Sequence, residues 1–276
     1  MRIFQVGAGS GGIVVLDALA RDPRVTHIDL IEPDVYSLHN VYRHLFPESA
    51  VGRLKADLAV GWIRERRPDV TVDPFVADIA DPLLQDRFEE MADRCDAGVC
   101  AVDNEPAKFA FDSLMRNSGK PWTLGEVLSG GIGGWVHRFT PDGPCYGCVA
   151  SYLQRNVAEE PNRPPPDYSN PDAAIPEARI PASKAAIGAI ASLHANLTLD
   201  LLAPPSPGGT EAEGLGFSIL FTLARVPGVF DDAYRTFRFR IPKSEACLIC
   251  SSLPASAAGE DLDAALDQAL ARLGHD

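Results

Sequence analysis

A chain of 276 residues, 46% of them hydrophobic, has enough apolar material for one large α/β domain or two small ones. Its formal charge of -13 and pI near 4.9 argue against a general nucleic-acid or anionic-membrane binder, since either needs a basic face to displace counterions. No charged start followed by an apolar stretch opens the sequence and no run of 18 or more apolar residues occurs. Neither a signal peptide nor a membrane span is expected, and the expected location is the cytoplasm.

The opening segment, MRIFQVGAGSGG, reads as a strand over Ile3 to Val6 that runs into glycines and then into the helical IVVLDALARD. VTHIDLIEPD, an apolar run ending in acids, reads as a second buried parallel strand and completes a βαβ unit. Apolar stretches at VTVDPFVAD, CDAGVCAVDN and KPWTLGEVL alternate with helical patterns over 53–67, 82–93 and 105–118. That alternation predicts a doubly wound, mostly parallel, Rossmann-like α/β sheet.

Past residue 130 the pattern changes. SGGIGGWVHRF reads as a turn into an antiparallel strand, CYGC follows, and about 155–182 is proline-rich without helical or strand period, as expected of a mobile crossover loop. SKAAIGAIASLHANLTLDLLA resumes as a helix with Ser183 as its N-cap, and YRTFRFRI alternates like a strand before CLIC. Leu262, Leu266, Leu270 and Leu273 follow at helical spacing. The expected organisation is one half over 1–140 that carries the glycine-rich turn, a second over 141–253 that carries CYGC, the crossover loop and CLIC, and a helical tail over 254–276, together one structural domain.

Gly7, Gly9 and Gly12 form G-x-G-x-x-G between a strand and a helix, with Glu32 twenty residues after the last glycine. Glycines there let backbone approach a phosphate at a helix N-terminus, and a carboxylate at the next strand end accepts hydrogen bonds from ribose. The pattern points to an adenosine-containing ligand and does not separate NAD, FAD and ATP. Asn40, Arg43 and Lys55 cluster beyond the second strand, which suits a triphosphate better than a dinucleotide; solvated helix positions are the alternative for Arg43 and Lys55. Asp103 and Asn104 end the strand in CAVDN, where a carboxylate can hold magnesium against ATP oxygens.

CYGC and CLIC supply Cys145, Cys148, Cys247 and Cys250, two pairs that can close a tetrahedral zinc site. A redox couple would call for a single pair at a helix start in a thioredoxin-like unit, which the sequence does not suggest. Cys95 and Cys100 flank DAGV in a strand and are expected in the core.

Taken in order, GAGSGG, the acids Glu32 and Asp34, SLHNVYRH, VGRLKA, AVDN, PCYGC and CLIC resemble the ThiF/MoeB/HesA family of ubiquitin-activating-enzyme-like adenylyltransferases over almost the whole chain. The resemblance implies that Gly7, Gly9 and Gly12 approach the ATP phosphates and that Glu32 holds the ribose. Asn40, Arg43 and Lys55 would contact phosphates, Asp103 would position magnesium beside Asn104, and Asp34 matches a family acid. Arg43, Lys55 and Asp103 would be the catalytic group.

The implied reaction is attack of a carboxylate, the C-terminus of a small ubiquitin-like or sulfur-carrier protein ending in Gly-Gly, on the α-phosphorus of ATP within a homodimer. A short peptide of a natural-product pathway is the alternative substrate. An NAD-dependent oxidoreductase and a non-catalytic binding protein are the readings of another class. With four cysteines on zinc and two in the core, none is left as a nucleophile, and the acyl-adenylate is expected to pass to another acceptor. His44 stands where the family has glutamine and is expected to give a supporting hydrogen bond or lie exposed.

Overall fold

The computed structural model describes residues 1–153, 181–203 and 216–251. Most of the expected crossover loop and all of the expected tail helix lie outside them. The strands are β1 (Arg2–Val6), β2 (His27–Ile31), β3 (Thr71–Phe75), β4 (Ala97–Cys100), β5 (Trp122–Val127), β6 (Gly133–Phe139), β7 (Phe217–Thr222) and β8 (Thr236–Phe239). The helices are α1 (Gly12–Ala20), α2 (Lys55–Arg66), α3 (Gln85–Arg94), α4 (Glu105–Asn117), α5 (Tyr146–Tyr152) and α6 (Lys184–Leu201).

All eight strands form one sheet in the order β3-β2-β1-β4-β5-β6-β7-β8. β3 through β5 pair in parallel, and β6, β7 and β8 extend the sheet antiparallel. This is the expected doubly wound sheet with antiparallel extension. β7 is an addition to the sequence reading, and α5 begins within CYGC, where no helix was expected.

Alternation along buried strands fills both faces. Ile3, Ile28 and Leu30 pack with Leu16 of α1, Ile63 of α2 and Ala191 of α6 on one face. Phe4 and Ile31 pack with Phe88 of α3, Phe111 of α4 and Tyr146 of α5 on the other. Trp122 and Phe139 stack across the β5–β6 pair with centroids 4.0 Å apart, and β6 pairs in turn with β7, so one sheet joins strands from both sides of residue 140.

The order of winding reverses between β1 and β4, since the chain leaves β1 toward β2 and β3 and later returns to its other side. In open α/β sheets the crevice at the carboxyl ends of such strands is where ligands bind.

Candidate nucleotide site and four-cysteine centre

Gly7 leaves β1 with φ +93°, and a Cβ there would run into the Ala101 carbonyl just past β4. A Cβ on Gly12 would run into the Gly7 carbonyl, so both glycines are required by the protein's own packing. Gly9 differs: a Cβ there would meet nothing within 4 Å, so the space it spares faces outward, where a phosphate can approach.

The carbonyls of the loop are turned inward. Gln5 Nε2 donates to Gly7 O and Gly12 O at 2.9 Å each, Ile13 N donates to Gly9 O at 3.0 Å, and His44 Nε2 bonds Ala8 O at 3.0 Å. The backbone N–H groups of Gly9, Ser10, Gly11 and Gly12 have no hydrogen-bond partner among the described residues. Inward carbonyls and open N–H groups at the start of α1 make an anion nest.

His44 thus takes the supporting role. Burial lowers its pKa to about 4 against the pull of the Ala8 hydrogen bond, with the charges of Lys55, Lys184 and Arg43 adding to the effect. The neutral ring must carry its proton on Nε2 to donate to Ala8 O. The unfolded chain takes up a proton near 6.5 while the folded chain does not, so this stabilisation is full above about 6.5 and is lost as pH falls toward 4.

His194 acts in the same sense and Asp112, pushed up to about 6 by burial, in the opposite one. The clean test is therefore a difference. The stability of wild type minus that of His44→Gln is expected to shrink by about 2–3 kcal/mol between pH 7 and pH 4.5 in denaturant titrations. A constant difference would contradict the assignment.

Glu32 follows β2 and is buried. Its Oε2 accepts from Ala8 N at 2.5 Å and its Oε1 from Asp34 N at 3.0 Å, and burial raises its pKa. Each carboxylate oxygen keeps a second lone pair for a ribose hydroxyl. Lys55, buried at the start of α2, holds Asp34 through Nζ at 2.7 Å, so a part of its charge is already spent within the protein.

Asn40 Oδ1 accepts from Ser37 N at 2.9 Å and closes the turn before Arg43, leaving the amide N–H₂ as the group able to address a phosphate. Arg43 lines a cleft of about 600 Å³ with Leu38, His39, Tyr42, Ser183 and Lys184. Lys184 was not singled out in the sequence.

Asp103 is exposed at the carboxyl edge past β4, beside the loop that Gly7 touches. Asn104 is its neighbour in chain but serves a different end: its Oδ1 accepts from Ala107 N at 2.9 Å and caps α4. The Asn-Glu-Pro sequence carried that signal, an N-cap residue with proline in the first turn.

Behind Asp103 lies a buried polar network that sequence reading missed. Lys108 of α4 binds Glu105 and Glu126 at 2.6 Å each, and Tyr146 donates to the other oxygen of Glu105 at 2.7 Å. His137 of β6 joins Glu126 at 3.1 Å to Ser218 at 2.7 Å. Tyr146 stands between the cysteines of CYGC, so the network ties the start of α4 to the cysteine centre.

The sulfurs of Cys145, Cys148, Cys247 and Cys250 all lie within 4.8 Å of one another. Cys145 is 3.8 Å from Cys148 and 3.5 Å from Cys247, and Cys148 is 3.5 Å from Cys250. A tetrahedron with metal–sulfur arms of about 2.3 Å has edges of about 3.8 Å, so the cluster fits a zinc ion; a disulfide needs about 2.05 Å. CYGC does stand at a helix start, contrary to expectation, and the second pair is what separates it from a redox couple.

Burial pushes Cys145 and Cys148 up, whereas Cys247, despite burial, is drawn down to about 7 by the N–H groups of Ile249 and Cys250 and by the neighbouring thiols. Cys95 and Cys100 are buried in the core and pushed up to about 12.

Sheet order, switch-point crevice and anion nest together define a nucleotide-binding α/β protein of the doubly wound kind. The chain belongs to the ThiF family, whose sequence model matches residues 1–222. It is 30% identical over 149 residues to SAMP-activating enzyme E1 of Haloferax volcanii, covering 54% of this chain and 53% of that protein. It is 25% identical over 169 residues to ubiquitin-like modifier-activating enzyme 5 of Bombyx mori, covering 57% and 42%.

The chain thus spans about half the length of the curated relatives it matches. Its fold resembles that of E. coli MccB, crystallised with AMPCPP and SeMet MccA, at TM-score 0.64 and 15% identity over 91% of this chain and 66% of that one. At that identity the likeness is one of fold.

Proposed function

We propose that the chain uses ATP to activate the C-terminal carboxylate of a small ubiquitin-like or sulfur-carrier protein ending in Gly-Gly. The observation that carries the reading is the nest of open N–H groups at Gly9 to Gly12, set between Glu32 on one side and Asp103 on the other. Relatives named as activating enzymes of ubiquitin-like modifiers support the substrate class.

A carboxylate oxygen forms a bond to the α-phosphorus, the bond from that phosphorus to the bridging oxygen breaks, and the electron pair leaves with pyrophosphate. A terminal carboxyl is ionised at neutral pH, so no general base is required. Positioning and charge neutralisation are what the protein must supply. Glu32 holds the ribose, the loop N–H groups and Asn40 meet phosphate oxygens, and Arg43 and Lys55 offset charge. Asp103 would hold a magnesium ion against those oxygens, which supplies further neutralisation when bound.

Zinc held by Cys145, Cys148, Cys247 and Cys250 would clamp α5 to the segment around Cys247. With those thiols occupied and Cys95 and Cys100 buried, the acyl-adenylate passes to an acceptor on another molecule rather than to a cysteine of this chain. No helix among the described residues is long and apolar enough to cross a membrane. The reading has the chain acting in the cytoplasm as a homodimer.

The test is exchange of labelled pyrophosphate into ATP, which must depend on an added small protein ending in Gly-Gly. No exchange with any such partner, alongside exchange with a short peptide, would replace the substrate by the second reading.

A further inference from the structure

The cleft beside the glycine loop is built from two distant parts of the chain. Leu38, His39, Tyr42 and Arg43 come from the turn after β2, and Ser183 and Lys184 from the start of α6. α6 crosses directly over the loop: a Cβ on Gly11 would lie 3.6 Å from Ile187 Cγ2 and 4.0 Å from Ala191 Cβ. Lys184 precedes Ile187 by three residues and so stands almost one turn back, at the loop's outer rim.

Charge decides what such a cleft can hold. Nearest the loop, Glu32, Asp34 and Lys55 sum to one negative charge, and Lys55 is already paired with Asp34. Arg43 and Lys184 are the fixed cations of the cleft, and Lys184 makes no ion pair among the described residues. The 18-residue helix α6 adds the positive end of its dipole, with Ser183 accepting from Ala186 N at 3.1 Å.

We infer that Lys184 is a phosphate-binding residue that, with Arg43 across the cleft, holds the terminal phosphates of ATP and the pyrophosphate that leaves. The inference rests on the adenylating function proposed above. A triphosphate with its ribose at Glu32 and its first phosphate over Gly9 must extend the remaining phosphates past the loop, and this cleft is the basic volume there. Lysine meets those oxygens as a compact charge, while Arg43 offers a fork.

Calorimetric titration of the full chain with ATP, inorganic pyrophosphate and AMP tests it. Lys184→Ala is expected to bind ATP and pyrophosphate about 10-fold to 100-fold more weakly, with AMP within about twofold of wild type. Lys184→Arg, which keeps the charge, should recover most of the loss. Unchanged ATP affinity in folded Lys184→Ala overturns the inference, as does an equal loss for AMP, since the lysine would then act through the fold. A wild-type chain that binds neither ATP nor pyrophosphate overturns the proposed function and this inference together.

Discussion

Replacing Asp103 with alanine is expected to lower partner-dependent pyrophosphate exchange by about 100-fold to 1000-fold and to leave the fold intact. The two halves of that expectation have separate grounds. The side chain is exposed past β4 and makes no hydrogen bond or ion pair among the described residues, so its loss costs stability no more than about 0.5 kcal/mol. The proposed reaction joins a carboxylate to a polyphosphate on a chain of formal charge -13, so every local means of offsetting charge counts heavily.

Arg43→Ala should behave alike, by removing one cation of the cleft. Asn104→Ala separates position from role. It sits one residue from Asp103 but caps α4, so it should cost about 1 kcal/mol of stability with a smaller effect on exchange. Thermal melts and exchange rates on the three variants make the comparison, and full exchange in folded Asp103→Ala would remove the mechanism.

The parts of this molecule that could be read from sequence are those whose cause is local. β1, α1 and β2 declare themselves because apolar period, glycines and a terminal acid fall within about thirty residues, the size of a βαβ unit. Gly12 is legible for the same reason, since it makes room for the Gly7 carbonyl, whereas the Ala101 carbonyl that Gly7 spares comes from far along the chain. β7 went unread: FSILFT is a short apolar run, and periodicity alone does not divide such runs between strand and helix.

Lys184 and Arg43 share a cleft only because α6 returns over the loop, and Lys108 meets Glu126 and Tyr146 only through sheet order. Pairings of that kind depend on topology, which no window of sequence contains. The four cysteines are the exception. Their repeated spacing is a local signal for a contact between residues 102 apart in sequence.

That separation sets the size of the last expected effect. A cross-link closing a loop of about 100 residues removes about 4–5 kcal/mol of unfolded-chain entropy, and a metal clip acts in the same way. Stripping the metal with a chelator, or making Cys250→Ser, is therefore expected to lower the melting temperature by on the order of 10 °C. One zinc per chain should be released as this happens.

A redox couple predicts otherwise: reductant alone would shift the melt and chelator would not. Exchange activity should fall with the metal as well, because Tyr146 between the first two cysteines fixes Glu105 at the start of α4, two residues past Asp103. Protein purified without chelator that holds no zinc and melts unchanged in its presence would overturn the clamp.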